Sequence, residues 1–164
     1  RSTLFPYTTL FRSVKFKVAL FIDEEHRTTK NIRETKAFTV GIADLDHMAE
    51  ADFFGIATGN KMEDKFERTG FHQVRSAHVN APIIEEFPVA MECELLEIVD
   101  TENLHCVIGR IVGVSADEKV LDSKGKVDPA KLNAFAFDPF QNGYYKIGEK
   151  VGQAWNAGAG LMKK

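Results

Sequence analysis

Residues 87–116 read FPVAMECELLEIVDTENLHCVIGRIVGVSA, and the fold turns on how this stretch is read. Two runs rich in Val, Ile and Leu are broken once, by Asp100-Thr101-Glu102-Asn103. Turn-forming residues between two such runs predict a β-hairpin. A turn centred on Thr101 and Glu102 puts Met91, Cys93 and Leu95 on one face with Ile108 and Val112. Side chains alternate across a strand, so Glu92 and Glu94 are expected on the other, solvated face. The same register sets Arg110 across from Cys93 on the apolar side. A cation there needs a partner, and Glu97 is near enough to be one. A long hairpin is not stable alone, so more strands are expected to close a sheet or barrel around it.

Residues 3–13, TLFPYTTLFRS, resemble the in-frame translation of a short-read sequencing adapter. A scar of that kind is set aside from fold reasoning. Residues 1–13 are therefore expected to be a non-native segment with no place in the barrel. Residues 14–164 are expected to form one domain whose N-terminal part is missing. The alternative is a genuine hydrophobic first strand, which TLFPYTTLF imitates.

Around the hairpin, residues 15–22 (KFKVALFI) read as a strand, and residues 23–27 as a polar turn. Thr28 or Thr29 is placed to cap a short helix over residues 28–36, because a Thr hydroxyl accepts the free first-turn N–H groups. Residues 37–42 (AFTVGI) are a second strand. Asp44 is placed to cap a helix in which Leu45, Met48, Ala49 and Phe53 recur at helical spacing. Gly55 and Thr58-Gly59-Asn60 break it. A short helix over 63–68 is stopped by Gly70, and residues 71–82 read as irregular. Later, residues 122–126 and Asn142-Gly143 read as turns, and residues 129–132 as one helical turn.

The chain has 164 residues, 44% of them hydrophobic, and a net charge of −3. Without Arg1 and Arg12 it holds 19 basic against 24 acidic residues, a net charge of −5. An acidic domain with no Lys/Arg cluster is a poor nucleic-acid binder, and no apolar run approaches membrane-spanning length. Cys93 and Cys106 fall in facing strands but not opposite each other. Two buried thiols in a domain of this size fit a reducing, cytoplasmic setting rather than a disulfide framework.

No zinc-type Cys/His spacing, Walker-type phosphate loop or nucleophile elbow is present. His47, His72, His78 and His105 read as scattered surface or strand histidines, and Glu85-Glu86 as a solvated pair. The best local signal is His26-Arg27-Thr28-Thr29-Lys30, between a strand and a helix start. Free N–H groups and the helix dipole attract an anion there, and Arg, Lys and Thr donors suit a phosphate. Most such junctions are merely capped and solvated.

The blocks KVALFIDEEHRTTKNIRETKAFTV, ADFFGIATGNKMEDKFERTG, NAPIIEEFPVAMECELLEIV, VIGRIVGVSADEKVLD and NGYYKIGEKVGQAW occur in this order. Together they resemble the flavin reductase-like family, which has the FMN-binding split-barrel fold. The resemblance runs from Val14 to about Trp155 and implies a mainly β barrel with peripheral helices. It also implies a homodimer with FMN near the subunit interface. His26 and Thr28 match the family's phosphate motif, with Arg27 and Thr29 close enough to help. Ala19, Leu20 and Phe21 match the strand whose backbone runs beside the flavin ring. Phe53, Phe54, Gly55, Thr58 and Gly59 match a block that lies near the flavin, and Tyr144 and Tyr145 match a C-terminal aromatic pair. The family's first strands have no counterpart here, its usual hairpin His aligns with Leu104 beside His105, and its usual Glu is Arg110.

The function implied is an FMN-binding oxidoreductase of the flavin reductase type, passing electrons from NAD(P)H to flavin or onward to an unknown acceptor. No residue is assigned as a catalytic acid or base, and no metal is expected. Two alternatives stay open: a non-enzymatic flavoredoxin-like electron carrier, and a barrel that has lost flavin and serves as a binding module.

Overall fold

The computed structural model describes residues 4–5 and 16–162. Its strands in chain order are β1 (Leu4–Phe5), β2 (Lys17–Phe21), β3 (Ala37–Ile42), β4 (Gln73–Arg75), β5 (Pro82–Ile84), β6 (Val89–Thr101), β7 (Leu104–Ala116), β8 (Phe135–Asp138) and β9 (Gly143–Lys146). The α-helices are α1 (Arg27–Thr35), α2 (Met48–Ile56) and α3 (Pro129–Leu132). The β6–β7 hairpin is the spine of a five-stranded sheet. β3 pairs with the outer side of β6, and both β1 and β2 pair with the outer side of β7, all antiparallel. β4–β5 and β8–β9 are separate hairpins. The architecture is mainly β with helices at its periphery.

The hairpin turn lies one residue later than expected, with Thr101 paired to Leu104 across Glu102 and Asn103. That shift alone moves every partner by two and leaves each side chain on its expected face. Two bulges change the faces. Leu96 is an extra residue on β6 and Val112 on β7, so between them the ladder is offset by one. An offset of one sends side chains to the opposite face. Arg110 therefore lies opposite Glu94, not Cys93, and its guanidinium is 3.9 Å from the Glu94 carboxylate instead of serving Glu97. Cys93 lies opposite Ile111 and Cys106 opposite Val99, so the two thiols do not face each other.

Glu92 also departs from the alternating pattern. It is 1% exposed, whereas Glu94 is exposed as expected. A buried carboxylate needs donors, and His78 supplies both, its backbone N–H at 2.7 Å and Nδ1 at 3.2 Å. Burial, with the Glu92 charge adding to it, pushes the neighbouring Cys93 thiol up to about 11. His78 is an exposed histidine, as expected, that also partners the buried Glu92 carboxylate.

Two apolar clusters flank the sheet. Ile32 of α1, Phe38 of β3, Cys93 and Val107 form one, with Val18 and Leu20 of β2 packed against it. Val89, Ala116, Val120, Leu132 and Ala134 form the other. Each large side chain fully removed from water contributes roughly 1.5–3 kcal/mol, so these contacts outweigh local propensity in fixing where α1 and α3 dock.

Several local expectations are met and several corrected. Asp128 caps α3 by accepting the Ala130 N–H at 2.9 Å, and Gly70 ends its turn at φ +70. The helix expected over 63–68 is instead turns and a single 3-10 turn at Glu67–Thr69. Asp44 does not cap with its side chain; its carboxylate is 2.6 Å from His47 Nδ1. Residues 71–82 are less irregular than expected, because β4 pairs with β5. Strands of three residues are too short to display alternation.

Of the segment 3–13, only β1 is described, and it pairs Leu4 with Ser115 and Phe5 with Val114. The expectation of no place in the barrel is corrected for these two residues; the rest of the segment lies outside the described residues. A two-residue ladder adds little to a sheet whose β6–β7 pairing runs from Val89 to Thr101. Removing residues 1–13 is therefore expected to leave the melting temperature within error of the intact chain. A fall of many degrees would mark the segment as a genuine strand.

Candidate functional site

β2 ends where its backbone is tied down. The Ile22 carbonyl accepts a hydrogen bond from His105 Nδ1 at 2.6 Å. A carbonyl only accepts, so His105 carries its proton on Nδ1. The chain then bends at Asp23, whose carbonyl accepts the His26 N–H at 3.2 Å and the Thr29 hydroxyl at 2.7 Å. From this bend α1 departs at Arg27. His26 takes the cap position in an extended conformation, and among the described residues no side chain bonds to the first-turn N–H groups. The expected Thr cap is corrected: Thr29 is fully buried on the face that carries Ile32, with its hydroxyl spent on the bend. It strengthens the loop and does not face the cleft.

The facing wall is built from the end of α2 and the turn after it. Phe54 stacks on Phe66, with centroids 6.2 Å apart and planes at 18°, and lies 6.2 Å from Phe71. Lys65 Nζ donates to the Phe54 carbonyl at 2.8 Å and lies 5.6 Å from the centre of the Phe54 ring. That carbonyl is one of the four a helix leaves unsatisfied at its C-terminus, where a cation is favoured. Burial lowers the Lys65 pKa from its ordinary value. Asn60 then crosses between the walls, donating from Nδ2 to the Glu25 carbonyl at 2.8 Å.

Between the walls is a cleft of about 770 Å³, within the range of small-molecule sites, lined by His26, Arg27, Thr28, Phe54, Thr58 and Gly59 among others. Six expected site residues from two distant segments are thus brought together. Thr29 is not, and neither are Ala19, Leu20 and Phe21, which lie on β2 outside this lining. Alternation turns Leu20 into the core, while Ala19 and Phe21 face outward, Phe21 at 73% exposure. Asn31, Asn60, Lys65 and Phe66 line the cleft without having been singled out from the sequence. Thr29 was the legible case: it precedes the apolar Ile32 by three residues, on one helix face.

Tyr144 fastens the β8–β9 hairpin to α2, its hydroxyl donating to Asp52 Oδ1 at 2.6 Å, while its ring meets Phe135 edge-on at 5.3 Å. The bond to Asp52, and then desolvation, raise the Tyr144 pKa above 10.0. A group raised on folding contributes its stability fully below its unfolded pKa and loses it as pH climbs through the folded value. On raising pH, Tyr144 is therefore expected to ionise later than an ordinary phenol, and Asp52→Ala to bring it earlier. Identical ultraviolet titrations for the two proteins would contradict this. Among the described residues no group of His, Cys, Asp and Glu is placed to hold a metal, and no helix is long and apolar enough to cross a membrane.

A sequence-family profile described as "Flavin reductase like domain" matches residues 9–131. Among solved structures, the flavoredoxin of Desulfovibrio vulgaris (Miyazaki F) is 34% identical with a TM-score of 0.81, covering 87% of this chain and 75% of that one. A split-barrel domain protein from Shewanella frigidimarina is 23% identical with a TM-score of 0.72, covering 85% and 70%. An FMN-binding domain of a flavin reductases-like enzyme from Shewanella baltica is 17% identical with a TM-score of 0.70, covering 84% and 73%. The two more distant structures speak to the fold alone, which is the split barrel. The chain spans about half the length of the curated relatives it matches or less, 53% and 37%.

Proposed function

This chain belongs to the flavin reductase-like family, and on that premise we propose that it binds FMN in the cleft between α1 and α2 as an oxidoreductase of the flavin reductase type. One observation carries the reading. The cleft unites an uncapped helix N-terminus with the side chains of His26, Arg27 and Thr28, a donor set that fits a phosphate monoester. FMN, when bound, supplies the electron transfer. The chain's own share is to hold the phosphate with those donors, present the Phe54 wall to the rest of the ligand, and keep Thr58 and Gly59 close by. NAD(P)H is the donor in this reading, and no protein acid or base is required. The acceptor is a separate molecule, and the reducing interior of the cell is where the free thiols belong.

The similarity to a flavoredoxin supports a second reading, an FMN protein that carries electrons without turning over NAD(P)H itself. In both, the protein is a homodimer. Phe53, Phe54, Tyr144 and Tyr145 are proposed to supply apolar area for a partner copy, with Tyr144 and Tyr145 39% and 52% exposed, and Phe140, Val151, Trp155 and Leu161, each at least 90% exposed, extend it. Exposed apolar area of this kind marks an interaction surface.

The test is purification followed by titration with FMN, light scattering and NAD(P)H oxidation. A dimer that binds FMN and oxidises NAD(P)H supports the first reading. FMN binding without oxidation supports the carrier. No FMN binding overturns both, and a monomer with FMN bound overturns the dimer.

A further inference from the structure

We propose that Asn60 is a positioning residue that sets the cleft for a phosphate-bearing ligand, an inference that rests on the FMN reading above. Asn60 is exposed and has no catalytic chemistry, yet it is bonded to both walls at once. Its Nδ2 donates to the Glu25 carbonyl at 2.8 Å, one peptide before the α1 cap residue His26. Its Oδ1 is 3.4 Å from Lys30 Nζ on the first turns of the same helix. Its backbone N–H, on the other side, donates to Thr58 Oγ1 at 3.3 Å.

These three bonds act on different parts of the cradle. Holding the Glu25 carbonyl fixes the peptide plane that leads into His26, and so fixes where the open first-turn N–H groups of α1 stand. Accepting from the Asn60 N–H occupies a lone pair of the Thr58 hydroxyl and leaves its proton to donate into the cleft. The walls are nearly in contact beside this residue: a Cβ added at Gly59 would lie 3.4 Å from Arg27 Cβ. The segment running on from Asn60 is held to the far wall by Lys65 on the Phe54 carbonyl. Among the described residues of this segment, Asn60 is therefore the side chain that hydrogen-bonds to the α1 wall. Removing it leaves the phosphate donors in place and loosens their mutual geometry, a loss of preorganisation.

A role toward the phosphate predicts a selectivity change. Asn60→Ala is expected to weaken FMN about fivefold, the scale of one hydrogen bond, while riboflavin, which has the ring and no phosphate, binds as before. Asn60→Asp keeps the shape, loses the Nδ2 donor and adds a negative charge, so it is expected to weaken FMN further and again spare riboflavin. Dissociation constants for both flavins on wild type and both variants, with melting temperatures alongside, make the measurement. Equal loss for FMN and riboflavin, or no loss for either, overturns the proposal. A wild-type chain that binds neither flavin overturns the reading beneath it. A melting temperature that falls with unchanged FMN-to-riboflavin ratio assigns Asn60 to the fold alone and also overturns it.

Discussion

Thr28→Ala is expected to weaken FMN about tenfold and to leave riboflavin where it was. Thr28 lines the cleft at the start of α1, beside His26 and Arg27, and is exposed. A hydrogen bond to a charged group is worth roughly 1.5–3 kcal/mol, and about 1.4 kcal/mol is a factor of ten in affinity. The substitution changes no charge, so long-range attraction between the ligand and Arg27 or Lys65 is preserved. It is also a cleaner probe than the sequence alone implied. A Thr that capped the helix would cost on the order of 1 kcal/mol of stability on removal, confounding the result. Here no side chain caps α1, and the buried hydroxyl that braces the bend belongs to Thr29. Thr29→Ala is thus the contrasting variant: it is expected to lower the melting temperature and to weaken both flavins together. If Thr28→Ala weakens FMN and riboflavin equally, the phosphate does not sit at His26–Thr28.

The contrast between these two threonines shows what was legible in the sequence. The hairpin was, because β-branched runs on either side of polar turn residues have few other readings. Its bulges were not: Leu96 and Val112 look like any other strand residue, and only the packed sheet reveals that they are supernumerary. Those bulges are why Arg110 faces Glu94, while Glu92 is buried because His78 covers it and supplies its donors. The proposed phosphate loop was legible as a local motif, since a helix start with Arg, Thr and His carries its chemistry within a few residues. Asn60 and Lys65 were not, because what they do is defined by partners 35 and 11 residues away. The resemblance supplied β2 as a strand whose backbone runs beside the ring; its side chains alternate between core and surface and lie outside the lining of the cleft between α1 and α2.

The larger effect on stability is expected at Gly109, in the middle of β7. A Cβ built there would stand 2.3 Å from Phe38 Cζ, 2.7 Å from Phe38 Cε1 and 3.2 Å from Cys93 Cβ. Phe38 is 5% exposed and Cys93 fully buried, so neither has open space into which to move. Two effects of Gly109→Ala oppose each other. Losing glycine's freedom in the unfolded chain stabilises by about 0.4–1 kcal/mol, while overpacking a filled core typically costs about 1–3 kcal/mol. With contacts this short the second wins, and a net loss of about 1–2 kcal/mol is expected in denaturant unfolding. Phe38→Leu is expected to cost about 1 kcal/mol alone, as a smaller side chain in the same core. Together the two should cost less than their sum, because Leu vacates the volume that the new methyl needs. Residues in contact couple by about 0.5–3 kcal/mol, and the sign here is compensating. The consequence reaches the cleft: Phe38 packs in the same cluster as Ile32, on the buried face of α1. A ring displaced by Gly109→Ala is expected to tilt the helix whose first turn is proposed to hold the phosphate, so FMN affinity should fall with stability and recover in the double variant. Strict additivity of the two substitutions would mean that something other than the Phe38 ring fills the space above Gly109.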